Sequence, residues 1–174
     1  MARDGGVQPK GEAKGMTALK TLIFTVLIPG TVTVILPYWL RRSALELYPV
    51  GESNWRYAGL APMAMGIAIY FWCAWDFIFT GRGTPAPIDP PKELVVRGLY
   101  RYTRNPMYVG IFSILVGEAI LFHSSTLLLY ALLVLLGFHL WTMYYEEPIL
   151  RKTFGDSYAH YCARVPRWMP AMWR

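Results

Sequence analysis

Two short polar segments carry side chains with chemical capacity, and two apolar stretches lie between them. The first is Gly98-Leu-Tyr-Arg-Tyr-Thr-Arg-Asn-Pro-Met-Tyr108. Arg101 and Arg104 offer cationic donors, and Tyr100, Tyr102 and Tyr108 offer flat rings for stacking on an aromatic ligand. Asn105-Pro106 enforces extended backbone ahead of a helix, and Pro106 at a helix start leaves neighbouring N–H groups aimed at an acceptor. The second segment is Tyr145-Glu-Glu-Pro148, with Glu146 and Glu147 at the end of an apolar run. Acids at a helix C-terminus oppose the helix dipole, so a cation, bound or from Lys or Arg, is expected to compensate them. His139, Thr142 and Glu146 are spaced by three and then four, which places them on one helical stripe. Each feature also has a plainer reading. Arg and Tyr anchor helices at membrane surfaces, Glu146 and Glu147 end a helix at water, and His139 packs against a neighbouring helix.

Apolar helices must position these residues. Hydrophobic residues make up 55% of the chain and charged residues 16%, against about 25% in soluble proteins, which indicates an all-α integral membrane protein. Four stretches approach the roughly 20 residues that a hydrocarbon core requires. They are 18–40, 56–80, 107–123 and 126–145. The first is read as a span and not a cleaved signal, because Arg41-Arg42 follows it; Pro29-Gly30 predicts a kink inside it. The third is short and contains Gly117-Glu118. Three units result: a disordered polar tail over 1–16, two spans over 17–80, and a core over 81–174 comprising a loop, a helical hairpin and a C-terminal interfacial helix. His123-Ser-Ser125 predicts a tight turn, so Gly98–Tyr108 and Glu146-Glu147 meet at one membrane surface.

Fourteen Lys and Arg residues share that surface, against Arg41, Arg42 and Arg56 on the other; the positive-inside rule then puts both termini in the cytoplasm. Basic residues spread over three membrane-bound segments argue against a nucleic-acid partner. A transporter would distribute polar groups along several spans, and a scaffold would have no need of both polar segments. Within the spans, Asp76 is expected to be solvated near a helix end and Glu118 to be structurally paired. Cys73 and Cys162 read as packing residues with no disulfide between them, and His123, His139 and His160 lack metal-site spacing. Leu150, Phe154, Tyr158 and Tyr161 fall on one face of an amphipathic interfacial helix, and Val165-Pro-Arg-Trp-Met-Pro170 should pack back on the body.

Taken in order, Gly-x-Tyr-x-x-x-Arg-Asn-Pro-x-Tyr, an apolar hairpin, Glu-Glu, Phe-Gly-x-x-Tyr-x-x-Tyr and Val-Pro-Arg closely resemble the membrane methyltransferase superfamily. That superfamily includes isoprenylcysteine carboxyl methyltransferase and phosphatidylethanolamine N-methyltransferase. The resemblance covers residues 92–170, and the first two spans match in general character. It implies an S-adenosylmethionine site in which Leu94, Val95 and Tyr100 line the pocket. Asn105, Pro106, Met107 and Tyr108 would contact the cofactor, and Glu146 would bind it with Glu147 alongside. It further implies direct methyl transfer to a lipophilic acceptor from the bilayer, without a metal, in a bacterial inner membrane. Arg104 and Thr142 would lie on the substrate side, and Glu147 or His139 would serve as base for an amine acceptor. The prenylcysteine enzymes carry His where this chain has Asn105 and Arg where it has Thr142; Asn-Pro-Met-Tyr and Glu-Glu-Pro look more like the phospholipid enzymes. A cavity between the second and fourth spans is expected to admit the acceptor's apolar part.

Overall fold

The structure, a computed structural model, describes residues 10–43, 54–81 and 93–168. Residues 1–9, 44–53, 82–92 and 169–174 lie outside the described residues, including much of the long loop and Met169-Pro170. The described residues are mostly helical and form no strand, with helices in the order α1 (Lys10–Leu27), α2 (Leu36–Arg42), α3 (Leu60–Asp76), α4 (Pro106–Leu121), α5 (Ser125–Trp141) and α6 (Glu147–Arg164). Three helical segments are long and apolar enough to cross a membrane: Leu19–Arg42, Asn54–Phe79 and Ser125–Arg164. Pro106–Leu121 is the shorter apolar helix, as its sequence foretold. This is an all-α membrane protein.

Helix α1 begins at Lys10, inside the tail expected to be disordered. Lys10-Gly-Glu-Ala-Lys contains mostly good helix formers, which let the backbone continue outward from the apolar run. The kink predicted at Pro29-Gly30 takes the form of a wider π turn over Thr31–Ile35 leading into α2. Pro29 cannot donate to the helical ladder, and Thr33 Oγ1 donates to its carbonyl at 2.8 Å.

Helices α3 and α4 pack with their backbones almost touching. A Cβ added at Gly66 would lie 2.4 Å from the Gly110 carbonyl oxygen, and one at Gly59 would lie 2.4 Å from that of Gly117. Each helix therefore offers two glycines seven residues apart, and the pairs meet in antiparallel register. Small residues at such crossings allow the close van der Waals packing that drives association in lipid. The remaining faces of α4 are also enclosed. Met107, Ile111, Leu115 and Ala119 recur every four residues and are buried, the first three against Tyr70, Cys73 and Ala74 of α3 and Ala131 of α5. Gly117 thus mediates packing and does not interrupt the third stretch. His123, with φ +49°, and Ser124, whose hydroxyl accepts from Leu127 N at 3.2 Å, make the expected tight turn into α5.

Two expectations are corrected. Glu146 and Glu147 do not end a helix. A π turn over Thr142–Glu146 carries α5 straight into α6, so the acids lie inside a continuous helical run and not at a free helix end. Asp76 is not solvated: it is 5% exposed, with Oδ1 3.8 Å from Arg97 Nε. The predicted face of α6 is present, since Tyr158, Tyr161 and Val165 form a small core with Leu94, Leu150 and Phe154. Cys73 and Cys162 are both free thiols.

Candidate functional site

The site lies at the end of the α4–α5 hairpin remote from the His123 turn, and three chain segments build it. Gly98 starts the first with φ +57°, a left-handed conformation open to glycine, and a single 3₁₀ turn over Gly98–Arg101 follows. Tyr100 drops into the core, where its ring meets Phe77 edge-on at 5.7 Å and its hydroxyl hydrogen-bonds with the Cys73 thiol. Burial pushes its phenol well above the usual range. Its carbonyl oxygen accepts from Tyr161 Oη at 2.8 Å, which ties the turn to α6. Asn105 precedes α4, and Pro106 occupies its first turn as predicted. Asn105 does not cap that helix through its side chain; its amide points to the C-terminal segment.

The second segment is the α5–α6 junction. Tyr108 Oη donates to Glu146 Oε2 at 3.0 Å, and the Tyr108 ring stacks on Phe138 at 4.4 Å. Glu147 is 6% exposed and receives three charge-assisted hydrogen bonds. Arg104 Nη1 donates to Oε1 at 3.1 Å, while Arg167 Nε and Nη2 donate to Oε1 and Oε2 at 2.7 and 3.0 Å. The fork of Arg167 matches the carboxylate bidentately, and Glu147 in turn holds the guanidinium's pKa above its usual value. Of the two acids, Glu147 is thus compensated by cations and Glu146 by a neutral phenol.

The third segment is Val165–Trp168, which folds back as expected and acts as a strap. Pro166 O accepts from Arg104 N at 2.9 Å, and Arg167 O accepts from Thr103 Oγ1 at 3.0 Å and from Asn105 Nδ2 at 3.1 Å. Trp168 Nε1 donates to His139 Nδ1 at 3.0 Å, and its ring lies 6.5 Å from that of Tyr108. Two buried polar atoms here have no hydrogen-bond partner in the structure, Thr142 Oγ1 and Arg104 Nε.

A family model described as phospholipid methyltransferase matches residues 55–157, more than half of the chain. The chain belongs to the phospholipid methyltransferase family. The family region opens ahead of α3 and ends at 157, so it takes in the second span and the motifs from Gly98 to Glu147, while Tyr158, Tyr161 and Val165-Pro-Arg167 lie beyond it. A protein-S-isoprenylcysteine O-methyltransferase from Schizosaccharomyces pombe (strain 972 / ATCC 24843) is 39% identical over 77 residues, covering 44% of this chain and 33% of the relative. The chain therefore spans about a third of that relative's length. No solved structure matches.

Within this family member, Arg104, Asn105, Tyr108, His139, Glu146 and Glu147 gather in one network at the hairpin end. Thr142 lies on the same stripe, 2% exposed. Pro106 is buried, Val95 and Met107 face the core, and Leu94 packs on the aromatic face of α6. Sequence reasoning gave no role to Thr103, placed Tyr161 only on a helix face, and placed Arg167 and Trp168 only in a segment that packs back, without a partner for any of them. A cation was expected at the acid pair from a helix end that is not there; Arg104 and Arg167 do lie on Glu147, for the separate reason that this carboxylate is buried.

Proposed function

We propose that this chain is an S-adenosylmethionine-dependent methyltransferase that methylates a lipophilic acceptor entering from the bilayer, with the hairpin end facing the cytoplasm of a bacterial inner membrane. The chief support is that Glu146, Tyr108 and Asn105 meet at one end of a bundle within the family region. The unpartnered Thr142 Oγ1 and Arg104 Nε fit a ligand that carries both donors and acceptors, as the methionine part of this cofactor does. When bound, the cofactor supplies a methyl group on a positively charged sulfur.

The residues of this chain then divide the work. Glu146 supplies a carboxylate that neither guanidinium bonds, and Tyr108 fixes its orientation. Glu147, considered above as a base, has both oxygens engaged by Arg104 and Arg167, so we assign it to positioning. His139 accepts through Nδ1, which in a neutral imidazole makes Nε2 an N–H donor. It therefore serves to orient an acceptor oxygen and not to remove a proton. The enzyme's contribution is to hold donor and acceptor in near-attack geometry away from water.

An apolar groove of about 210 Å³, lined by Ile69, Leu99, Tyr102, Thr103, Pro106 and Val109, runs between α3 and α4. We assign it to the acceptor's apolar chain in place of the expected cavity between the second and fourth spans, because α4 packs between those two. Phospholipid N-methylation is the second reading. It is favoured by Thr142, a neutral hydroxyl one turn before Glu146, which suits an amine better than a carboxylate. Titration of purified protein with S-adenosylmethionine tests the core proposal: saturable binding lost in Glu146→Ala supports it, and no binding by the unaltered protein refutes it. Membranes incubated with a radiolabelled methyl donor then separate the acceptors, through label in phospholipid or in base-labile esters.

A further inference from the structure

We infer that Asp76, on the second span, is a positioning residue that sets the Arg97–Tyr100 turn at the height the site requires. Asp76 sits in the last turn of α3 and is 5% exposed. Its Oδ1 faces Arg97 Nε at 3.8 Å, and its Oδ2 is buried without a hydrogen-bond partner. A buried carboxylate oxygen left in this way is costly, so its location calls for a physical reason.

The reason is visible across from it. Gly98 presses its Cα against this carboxylate so closely that an added Cβ would lie 2.3 Å from Oδ2 and 3.0 Å from Trp72 Nε1. Glycine is thus required at 98 twice over, by its φ of +57° and by the carboxylate beneath it. Neighbouring positions of α3 complete the seat. Cys73, one turn earlier, hydrogen-bonds with the Tyr100 hydroxyl, and Phe77, the next residue, meets the Tyr100 ring. Asp76 thereby supports the turn from below while Arg97 closes over its rim. Tyr100 in turn accepts through its carbonyl from Tyr161 of α6 at 2.8 Å. A shift at Asp76 would pass through Gly98 and Tyr100 to Tyr161 and so to α6, the helix that Glu146 directly precedes. The positioning machinery therefore reaches onto α3, outside the two polar segments that mark the site in sequence.

The kinetic arm of the test rests on the methyltransferase reading; the exchange arm does not. In Asp76→Ala, the KM for S-adenosylmethionine should rise about tenfold and the KM for the lipid acceptor should rise by a smaller factor, because Leu99 of the same turn lines its groove, with kcat at saturating donor and acceptor close to unchanged. A purely structural defect would lower kcat through loss of active protein and leave the donor KM where it was. Arg97→Gln, whose side chain is mostly exposed in the folded protein, should shift the donor KM in the same direction by a smaller factor and guards against a variant that fails to fold. Hydrogen exchange followed by mass spectrometry should show faster exchange over 95–100 in both variants and unchanged exchange over the α4–α5 hairpin. A donor KM within twofold of the unaltered protein, together with unchanged exchange over 95–100, overturns the inference. Should the unaltered protein bind no S-adenosylmethionine, the methyltransferase reading falls, and the exchange data alone decide whether Asp76 holds the turn.

Discussion

Replacing Arg167 with alanine tests the strap most directly. Arg167 makes the bidentate half of the Glu147 clamp, at 2.7 and 3.0 Å, and its backbone carbonyl simultaneously anchors Thr103 and Asn105. Breaking a fully buried ion pair costs about 3–5 kcal/mol, because a charge is left without a partner. Arg104 still donates to Glu147 at 3.1 Å in the variant, and the Arg167 side chain is 26% exposed, so water can replace part of what is lost. Those two facts bring the expected loss down to about 2 kcal/mol. For a chain of this size, that corresponds to a fall of about 4–8 °C in apparent melting temperature. Thermal unfolding in detergent, followed by tryptophan fluorescence, measures it. Arg101→Ala, at an exposed position of the neighbouring loop, is the control and should not move the midpoint. Arg167→Lys should recover only part of the loss, since an ammonium cannot fork across both carboxylate oxygens. If Arg167→Ala melts within about 1 °C of the unaltered protein, the clamp contributes no stability and the reasoning fails.

Three further outcomes are expected. Glu146→Gln preserves an oxygen for Tyr108 but removes the uncompensated charge, so S-adenosylmethionine affinity measured by calorimetry should fall by at least about tenfold; Tyr108→Phe should lose only a few-fold. Gly66→Ala drives a Cβ into backbone and should destabilise the protein by about 1–3 kcal/mol in thermal unfolding. Gly137→Ala, with nothing within 4 Å, should have no such effect. The raised pKa of Tyr100 gives a pH dependence with a definite sign. In the unfolded chain this phenol ionises near about 10, whereas burial keeps it protonated when folded, so stability should fall as pH rises above about 10. Tyr100→Phe should flatten that fall when melting is followed from pH 8 to 11.

The features legible in the sequence were those set by local spacing. The tight turn at His123-Ser-Ser125 forced the hairpin, and the hairpin forced Tyr108 and Glu146 together; the 3.0 Å hydrogen bond between them is that inference in atomic form. The aromatic face of α6 followed from helical period alone. Features that depend on where side chains end after folding were not legible. Arg167 reaches Glu147 across twenty residues only because Val165–Trp168 doubles back. Asp76 looked solvated because its sequence neighbours mark a helix end, while the residue that covers it, Gly98, lies in another segment. The continuation of α5 into α6 was masked by Pro148, which is tolerated in the first turn of α6 because a π turn directly precedes it.

The shortness of α4 sets the depth at which the site lies. Its 16 residues rise about 24 Å, less than the hydrocarbon thickness of about 30 Å, while the 26 residues of Asn54–Phe79 beside it extend about 39 Å. The irregular backbone of Gly98–Asn105 therefore lies recessed below the rim formed by the neighbouring helices. Such backbone is tolerated at membrane depth only where protein encloses it, and the strap together with α6 provides that enclosure. The result is a re-entrant recess whose floor lies below the ends of the neighbouring helices. For the proposed reaction, such a recess would let a bilayer-anchored acceptor and a water-soluble donor approach from different sides of one enclosed floor.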